Sequence, residues 1–292
     1  ILKMAMSTGK PILLEKPMAT SLAEAFQIVN LTDQYPTFIQ LGMQYRYKAQ
    51  YIDAFYELKK LHSVGEIKTI VMSEYRPPFL DKVNQWNKFN QSSGGTLVEK
   101  CCHYFDLINL VAESRPQKIF AVGGQAVNFL DFELRGFSSD IDDHAMVIIE
   151  YENKIKASFV LNMFSEQLNE ELIVGGRRGR IVTRECASFD PKVASEAHLQ
   201  VEVPEHEYFL PSVVGYPTWI EQSGHYGATF FEHVAFNNQL AGQVVDAATP
   251  KQALWSLIIA SAAQLSIQSH KEIDLKEFCS IAGLGSFFEA GF

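Results

Sequence analysis

The sequence predicts an α/β protein in two parts. Residues 1–62 read as the carboxyl-terminal portion of a doubly wound parallel sheet, and residues 63–292 as an α+β region built on a large, mostly antiparallel sheet. Three observations carry this. Ile12-Leu13-Leu14 is a short apolar run that stops at Glu15-Lys16-Pro17, as a buried parallel strand does at the rim of a sheet. Helical and strand patterns alternate up to residue 62. From Gly65 onward, runs of alternating hydrophobicity follow one another, some joined by hairpin signals such as Glu152-Asn153-Lys154.

Taken in order, Leu2, Ala5 and Met6 open the chain on a helical face. Pro17 has no N–H for a ladder and disfavours helical backbone at Lys16. The lysine is thus held extended at the carboxyl end of a strand, where open α/β sheets bind ligands. Ser21 to Gln34 reads as a helix with Leu22, Ala25, Phe26, Val29 and Asn30 on one face. A second parallel strand begins at Phe38 and ends in Gln44-Tyr45-Arg46-Tyr47; Ala49 to Leu61 is helical. Thr69 to Tyr75 is a strand stopped by Arg76-Pro77-Pro78, and 79–95 is an irregular loop. A helix is expected from Gly95 to about Val111. Strands are expected at Gln117–Asn128, His144–Glu152, Lys156–Phe164, Glu170–Val174, Gly179–Thr183 and Leu199–Val203. Residues 204–224 read as loop, 227–242 and 250–269 as helices, and the tail from Ile273 as a short helical stretch.

Composition narrows the function. A net charge of −9 without any Lys/Arg cluster argues against a nucleic-acid surface. No apolar run reaches the length of a membrane span and no signal-peptide pattern is present, so a cytoplasmic protein is expected. Cys101, Cys102, Cys186 and Cys279 have no C-x-x-C spacing and read as reduced thiols. Glu99, Cys102 and His103 are the metal-ligand candidates. Cys102 lies off the Glu99 face and no second His stands at ligand spacing, so no metal is expected. Glu99 and His103, four apart on the expected helix, share a face, and His suits proton transfer near neutrality. Lys100 projects elsewhere and reads as solvated.

Three motifs stand in order along the chain: Gly9-Lys10-Pro11-Ile12-Leu13-Leu14-Glu15-Lys16-Pro17 before a helix, the strand running into Tyr45-Arg46, and Gly94-Gly95-Thr96-Leu97-Val98-Glu99 through His103 to Asp106. Together they resemble the glucose-fructose oxidoreductase / inositol dehydrogenase (Gfo/Idh/MocA) family, with its G-K-x-V-x-x-E-K-P and G-G-x-L-x-D-x-x-x-H-x-x-D patterns. The resemblance spans nearly the whole chain. It implies a Rossmann-type dinucleotide-binding part, NAD or NADP as cofactor, and hydride transfer to or from a sugar, polyol or inositol-like alcohol. It implies Lys16 and His103 as the acid/base pair. Glu15, Lys16, Pro17 and Arg46 would lie against the cofactor, and Glu99, Arg46, Trp86, Asn162, His225 and Tyr226 against the substrate. It also implies a homo-oligomer formed through the open face of the large sheet.

The sequence departs from the family pattern in two places. Glu99 replaces Asp, which keeps the charge and lengthens the side chain by a methylene. No G-x-G-x-x-G is present; Gly123-Gly124 and Gly175-Gly176 fail the spacing, the latter reading as a turn between strands. The expectation is a chain that lacks the first strand–helix units of its Rossmann part. The alternative is a non-catalytic relative serving as a binding or assembly module. Asp106 is expected to brace a domain interface, His233 to pack, and Cys101 and Cys102 to fill space in the helix.

Overall fold

A computed structural model describes residues 1–188, 195–205 and 211–292. The chain opens with α1 (Leu2–Met6), β1 (Ile12–Leu14), α2 (Leu22–Thr32) and β2 (Ile39–Leu41). β1 and β2 pair in parallel, with Ile12 opposite Ile39 and Leu14 opposite Leu41. Ser21 caps α2 by accepting from the Glu24 N–H, and Ala25 and Val29 are buried on the expected face. A 3₁₀ turn, Gln44–Tyr47, leads into α3 (Ala49–Phe55), which runs on as a π turn to Lys60.

The rest of the chain builds on β3 (Ile67–Tyr75). Then come α4 (Asn90–Ser93), α5 (Thr96–Glu99), α6 (Cys102–Ala112), β4 (Pro116–Gly124) and a small hairpin of β5 (Glu133–Leu134) and β6 (Phe137–Ser138). β7 (His144–Tyr151), β8 (Lys156–Asn162), β9 (Leu168–Gly176), β10 (Gly179–Ala187), β11 (Glu196–Glu202) and β12 (Ser212–Val214) follow. The chain finishes with α7 (Thr218–Glu221), α8 (Ala228–Leu240), α9 (Pro250–Ser269), β13 (Ile273–Asp274), α10 (Leu275–Ile281) and α11 (Gly285–Glu289).

Among the described residues, nine strands form one sheet in the order β12-β11-β10-β9-β3-β8-β7-β4-β13. Every neighbouring pair is antiparallel except β3 and β8. Strict alternation gives each strand one buried row: Ile70 and Met72 on β3, Ala145, Val147 and Ile149 on β7, Leu172 and Val174 on β9. These rows face α3, α6 and α9. α9 also packs on α2 and β2, so it ties the parallel pair to the large sheet. A capping box at Thr249 and Gln252, with Pro250 at the first turn, fixes where α9 begins. Among the described residues, no helix is long and apolar enough to cross a membrane.

The structure corrects the sequence reading in several places. The helix expected from Gly95 is two helices: Lys100 ends α5 with its N–H on the Thr96 carbonyl, the Cys101 N–H reaches back to the same carbonyl, and α6 starts at Cys102. The loop 79–95 contains a 3₁₀ segment, Val83–Lys88, and α4. The strand read as far as Asn128 ends at Gly124, since the next backbone N–H groups, of Ala126, Val127 and Asn128, bind the Asp143 carboxylate. β9 and β10 are longer than expected, and their Gly176–Gly179 junction is the turn that was read there. Within 204–224, β12 and α7 interrupt the expected loop; its residues 206–210 lie outside the described residues.

Candidate active site

Lys16 stands just past the end of β1. Its Nζ donates to the Glu99 carbonyl at 2.8 Å and lies 3.4 Å from Glu99 Oε1. Both side chains are mostly covered, 16% and 14% exposed. The Lys16–Pro17 peptide is cis. Two glycines make this meeting possible. Gly94, at φ +77°, passes so close to Thr20 that a Cβ there would lie 2.7 Å from its carbonyl oxygen. Gly42, at the end of β2, leaves room for Glu15: a Cβ would come within 2.8 Å of Glu15 Oε2.

His103 is at the start of α6 and only 2% exposed. Its ring stacks on Tyr45, with centroids 4.2 Å apart and an 8° interplanar angle. Its Nδ1 has no hydrogen-bond partner among the described residues. Burial first, then the positive charges of Lys16 and Lys100, hold the imidazole well below its ordinary pKa. His103 is therefore neutral at neutral pH. A break at Lys100 and Cys101 lies between Glu99 and His103, and the Glu99 carboxylate is paired with Lys16.

His225 approaches the same group from the loop before α8. Its ring is 6.2 Å from Tyr45, its Nε2 is 3.5 Å from Gln44 Nε2, and its Nδ1 is 3.0 Å from Thr229 Oγ1. Burial, then Lys48 and Lys100, push it down to about 4. It reaches this place through four successive left-handed residues: Gly224 at φ +111°, His225 at +48°, Tyr226 at +54° and Gly227 at +91°. For the two non-glycine residues that backbone costs about 1–3 kcal/mol each, a strain concentrated at functional sites. The Tyr226 ring lies 5.9 Å from Lys48 Nζ.

Beneath these residues lies a buried charge layer absent from the sequence reading. Glu74, Glu170 and Glu185 are register neighbours on β3, β9 and β10, all 2% exposed or less. Lys48 Nζ bonds Glu170 at 2.7 Å and Glu185 at 2.6 Å. Tyr51 and Tyr104 donate to Glu170, and Gln50 donates to Glu185. Burial works to raise Glu170, but Lys48 and Lys100 outweigh it and hold the carboxyl low. Glu185 is raised, since burial outweighs Lys48 there. Lys100, read as solvated, is 7% exposed; its Nζ donates to Tyr45 Oη at 2.7 Å and lies 3.1 Å from Glu74. On the far side of β2, burial and the Glu15 charge push the Glu232 carboxyl up to about 8.

Other predicted site residues have different employment. Arg46 makes a bidentate pair with Asp106, at 2.7 and 2.6 Å, and a bond to Gln252 at 3.2 Å. The pair lines a cavity of about 410 Å³ with Lys59, Asp246 and Phe292. Asp106 is thus paired with Arg46, whose guanidinium is shared between Asp106 and Gln252. Asn162 caps the end of β8, its Oδ1 accepting from the Phe164 N–H and the Ser165 hydroxyl. Trp86 is 36% exposed on the 3₁₀ segment, beside Asn87, which is tied to the Leu80 carbonyl. His233, read as a packing residue, is exposed, with Nδ1 2.9 Å from the Thr229 carbonyl one turn back.

Residues 59–275 match the family model of the oxidoreductase family C-terminal alpha/beta domain. Among curated relatives, an oxidoreductase of Bacillus subtilis, YrbE, is 27% identical over 158 residues, covering 52% of this chain and 42% of its own. The trans-1,2-dihydrobenzene-1,2-diol dehydrogenase of Bos taurus is 25% identical over 213 residues, covering 73% of this chain and 57% of its own. The chain thus spans only part of these relatives. Among solved structures, a levoglucosan dehydrogenase in complex with NADH and levoglucosan superposes with a TM-score of 0.75 at 16% identity, covering 93% of this chain and 75% of that one. An oxidoreductase from Agrobacterium radiobacter, in complex with NAD⁺, L-tartaric acid and magnesium, gives 0.72 at 14% identity, covering 95% and 76%. These structures share the fold, and with the family model matching most of its length, this chain belongs to the Gfo/Idh/MocA family of oxidoreductases.

Proposed function

We propose that this chain carries the substrate side of an NAD(P)-dependent oxidoreductase that transfers a hydride between nicotinamide and an alcohol carbon of a sugar, polyol or inositol-like compound. The observation that carries the reading is the convergence of Lys16, pinned by Glu99, with a neutral, buried His103. Two buried polar atoms in this region lack partners, His103 Nδ1 and Gln44 Oε1, and a hydroxyl-bearing ligand would suit such a lining. The residues present fit the reacting end of a nicotinamide cofactor, with Glu15, Lys16 and Pro17 at the carboxyl end of β1. The nicotinamide would supply or accept the hydride. Lys16 would donate a hydrogen bond to the reacting oxygen and stabilise negative charge there. His103, unprotonated, would take the hydroxyl proton in oxidation and return it in reduction. Glu99 would hold Lys16 in place, and His225 and Tyr226 would contact the substrate from the strained loop. The levoglucosan, tartaric acid and glycerol held by similar solved structures are consistent with a small, oxygen-rich substrate. The open face of the large sheet, with Val71, Phe120, Val122, Met146 and Ile148 exposed, supports self-association there.

Calorimetry with NAD(H) and NADP(H), on this chain and on a form extended by upstream coding sequence, tests the proposal. Binding is expected to at least one form. A polyol screen on the binding form should then show Lys16→Ala and His103→Asn each losing about 10²- to 10⁴-fold in rate with nucleotide affinity kept. Failure of both forms to bind would favour the non-catalytic assembly module instead.

A further inference from the structure

We propose that Tyr45 and Lys100 are positioning residues for His103, a role that deepens the oxidoreductase reading and rests on it. The two come from separate elements, Tyr45 from the turn after β2 and Lys100 from the break between α5 and α6. Tyr45 lies flat against the imidazole at 4.2 Å. An aromatic ring can hold a neighbour's plane only if its own is held. Here it is held at three points. The hydroxyl accepts from Lys100 Nζ at 2.7 Å, Lys48 Nζ sits 4.3 Å from the ring centroid, and Tyr104 meets the ring edge-on at 5.6 Å. Each cation is itself anchored, Lys100 by Glu74 and Lys48 by Glu170 and Glu185. Lys100 stands at the end of α5, where Glu74 and the Tyr45 hydroxyl receive its ammonium.

The same arrangement sets the charge around the imidazole. Lys16 from β1, Lys48 from the start of α3, Lys100 and His225 all oppose a second proton on His103, in addition to burial. Glu99, Glu74 and Glu170 are engaged with Lys16, Lys100 and Lys48 respectively. His103 is thereby presented in one plane and one protonation state, which is what a proton carrier beside a hydride-transfer site requires.

Nuclear magnetic resonance of the full chain, labelled at histidine, tests this without cofactor or substrate. Stacking on Tyr45 should move the His103 ring protons upfield, and the His103→Asn variant assigns them. In Lys100→Met that upfield shift should fall by roughly half as the Tyr45 ring loses its anchor, while Lys100→Arg, which restores a donor, should keep most of it. Tyr45→Phe removes only the acceptor oxygen and should reduce the shift in the same way, which answers the question if Lys100→Met does not fold. An unchanged His103 spectrum in Lys100→Met, or in Tyr45→Phe where Lys100→Met is unfolded, would overturn the proposal. A reduced shift, with neither this chain nor its extended form binding a nicotinamide nucleotide, would uphold the positioning geometry and sink only the oxidoreductase reading.

Discussion

The nine-stranded sheet has two faces, and their chemistry is inverted. The face covered by helices carries Glu74, Glu170 and Glu185 among Ile70, Met72, Leu172 and Val174. The open face presents Val71, Phe120, Val122, Met146 and Ile148, each 40% exposed or more. Burying carboxylates costs several kcal/mol each, and their pairing with cations roughly offsets that cost without adding stability. The covered face therefore tolerates charge for a reason other than stability. The charge layer lies directly beneath Tyr45, and Tyr45 lies against His103. The open face needs no such explanation within one chain; apolar residues in that number ask for a cover.

Breaking the covered face should have the largest effect. Lys48→Met leaves Glu170 and Glu185 adjacent in the interior with their shared cation gone, and should cost about 3–5 kcal/mol in urea unfolding. Adding Glu170→Gln and Glu185→Gln to it should recover much of that loss, because the unpaired charges are removed with their partner. A Lys48→Met chain as stable as the parent would mean that the layer is not balanced as described.

A smaller effect, of roughly 1–3 kcal/mol, should appear with pH. His225 takes a proton near 6.5 when unfolded and only near 4 when folded. The unfolded chain binds more protons between those values, so the contribution of His225 falls as pH drops from 6.5 towards 4. His103, depressed further, acts in the same direction. Glu232 acts in the other: raised from 4.5 to about 8, it is protonated in the fold and favours it at low pH, and that contribution is lost as pH rises through 8. Between about pH 6.5 and 8 the histidines are silent and stability should decline with pH, a slope that Glu232→Gln removes. His225→Gln should remove the part of the acid-side loss that falls between pH 6.5 and 4, leaving the slope due to His103. Denaturation midpoints measured across pH 4 to 8.5 (roughly the window set by these groups) separate the two.

How much of this was legible in the sequence differs between the two faces. The open face follows from alternation alone, and β7 was read nearly to its ends. The placement of Lys16 followed from an apolar run and a proline, and the apolar face of α2 from its period. The charge layer was missed although its signal was there. Glu74 is two residues beyond Met72 and four beyond Ile70, in phase with the buried row, and Glu185 stands in the same phase to Ile181 and Thr183. A charged residue in that phase is ordinarily taken to end a strand or meet solvent, and the strand read from Gly179 stops at Thr183, two residues short of Glu185. Only the tertiary pairing with Lys48 and Lys100, both far away in sequence, makes it an interior residue. Lys100 was read as solvated because it projects away from Glu99; its partners, Glu74 and the Tyr45 hydroxyl, are far from it in sequence. Arg46 was read as a cofactor or substrate contact, with an interdomain salt bridge as the alternative; in the fold its guanidinium pairs with Asp106, one turn past His103, and bonds Gln252.

The smallest expected effect on the isolated fold sharpens the comparison most. Met146 and Ile148 alternate with buried Ala145, Val147 and Ile149, so their side chains leave the sheet on the open side. Replacing both with Lys removes apolar area that one chain leaves in water anyway, and should change unfolding free energy by no more than about 0.5 kcal/mol per site. The same pair of changes on the covered face would be ruinous. If the open face is covered by a second copy, sedimentation equilibrium should show the parent as an oligomer and the double Lys variant shifted towards monomer. A parent that stays monomeric at every concentration would remove self-association as the cover. A large loss of stability in the variant under monomeric conditions would place Met146 and Ile148 inside the fold, and the inversion between the two faces would fail at that point.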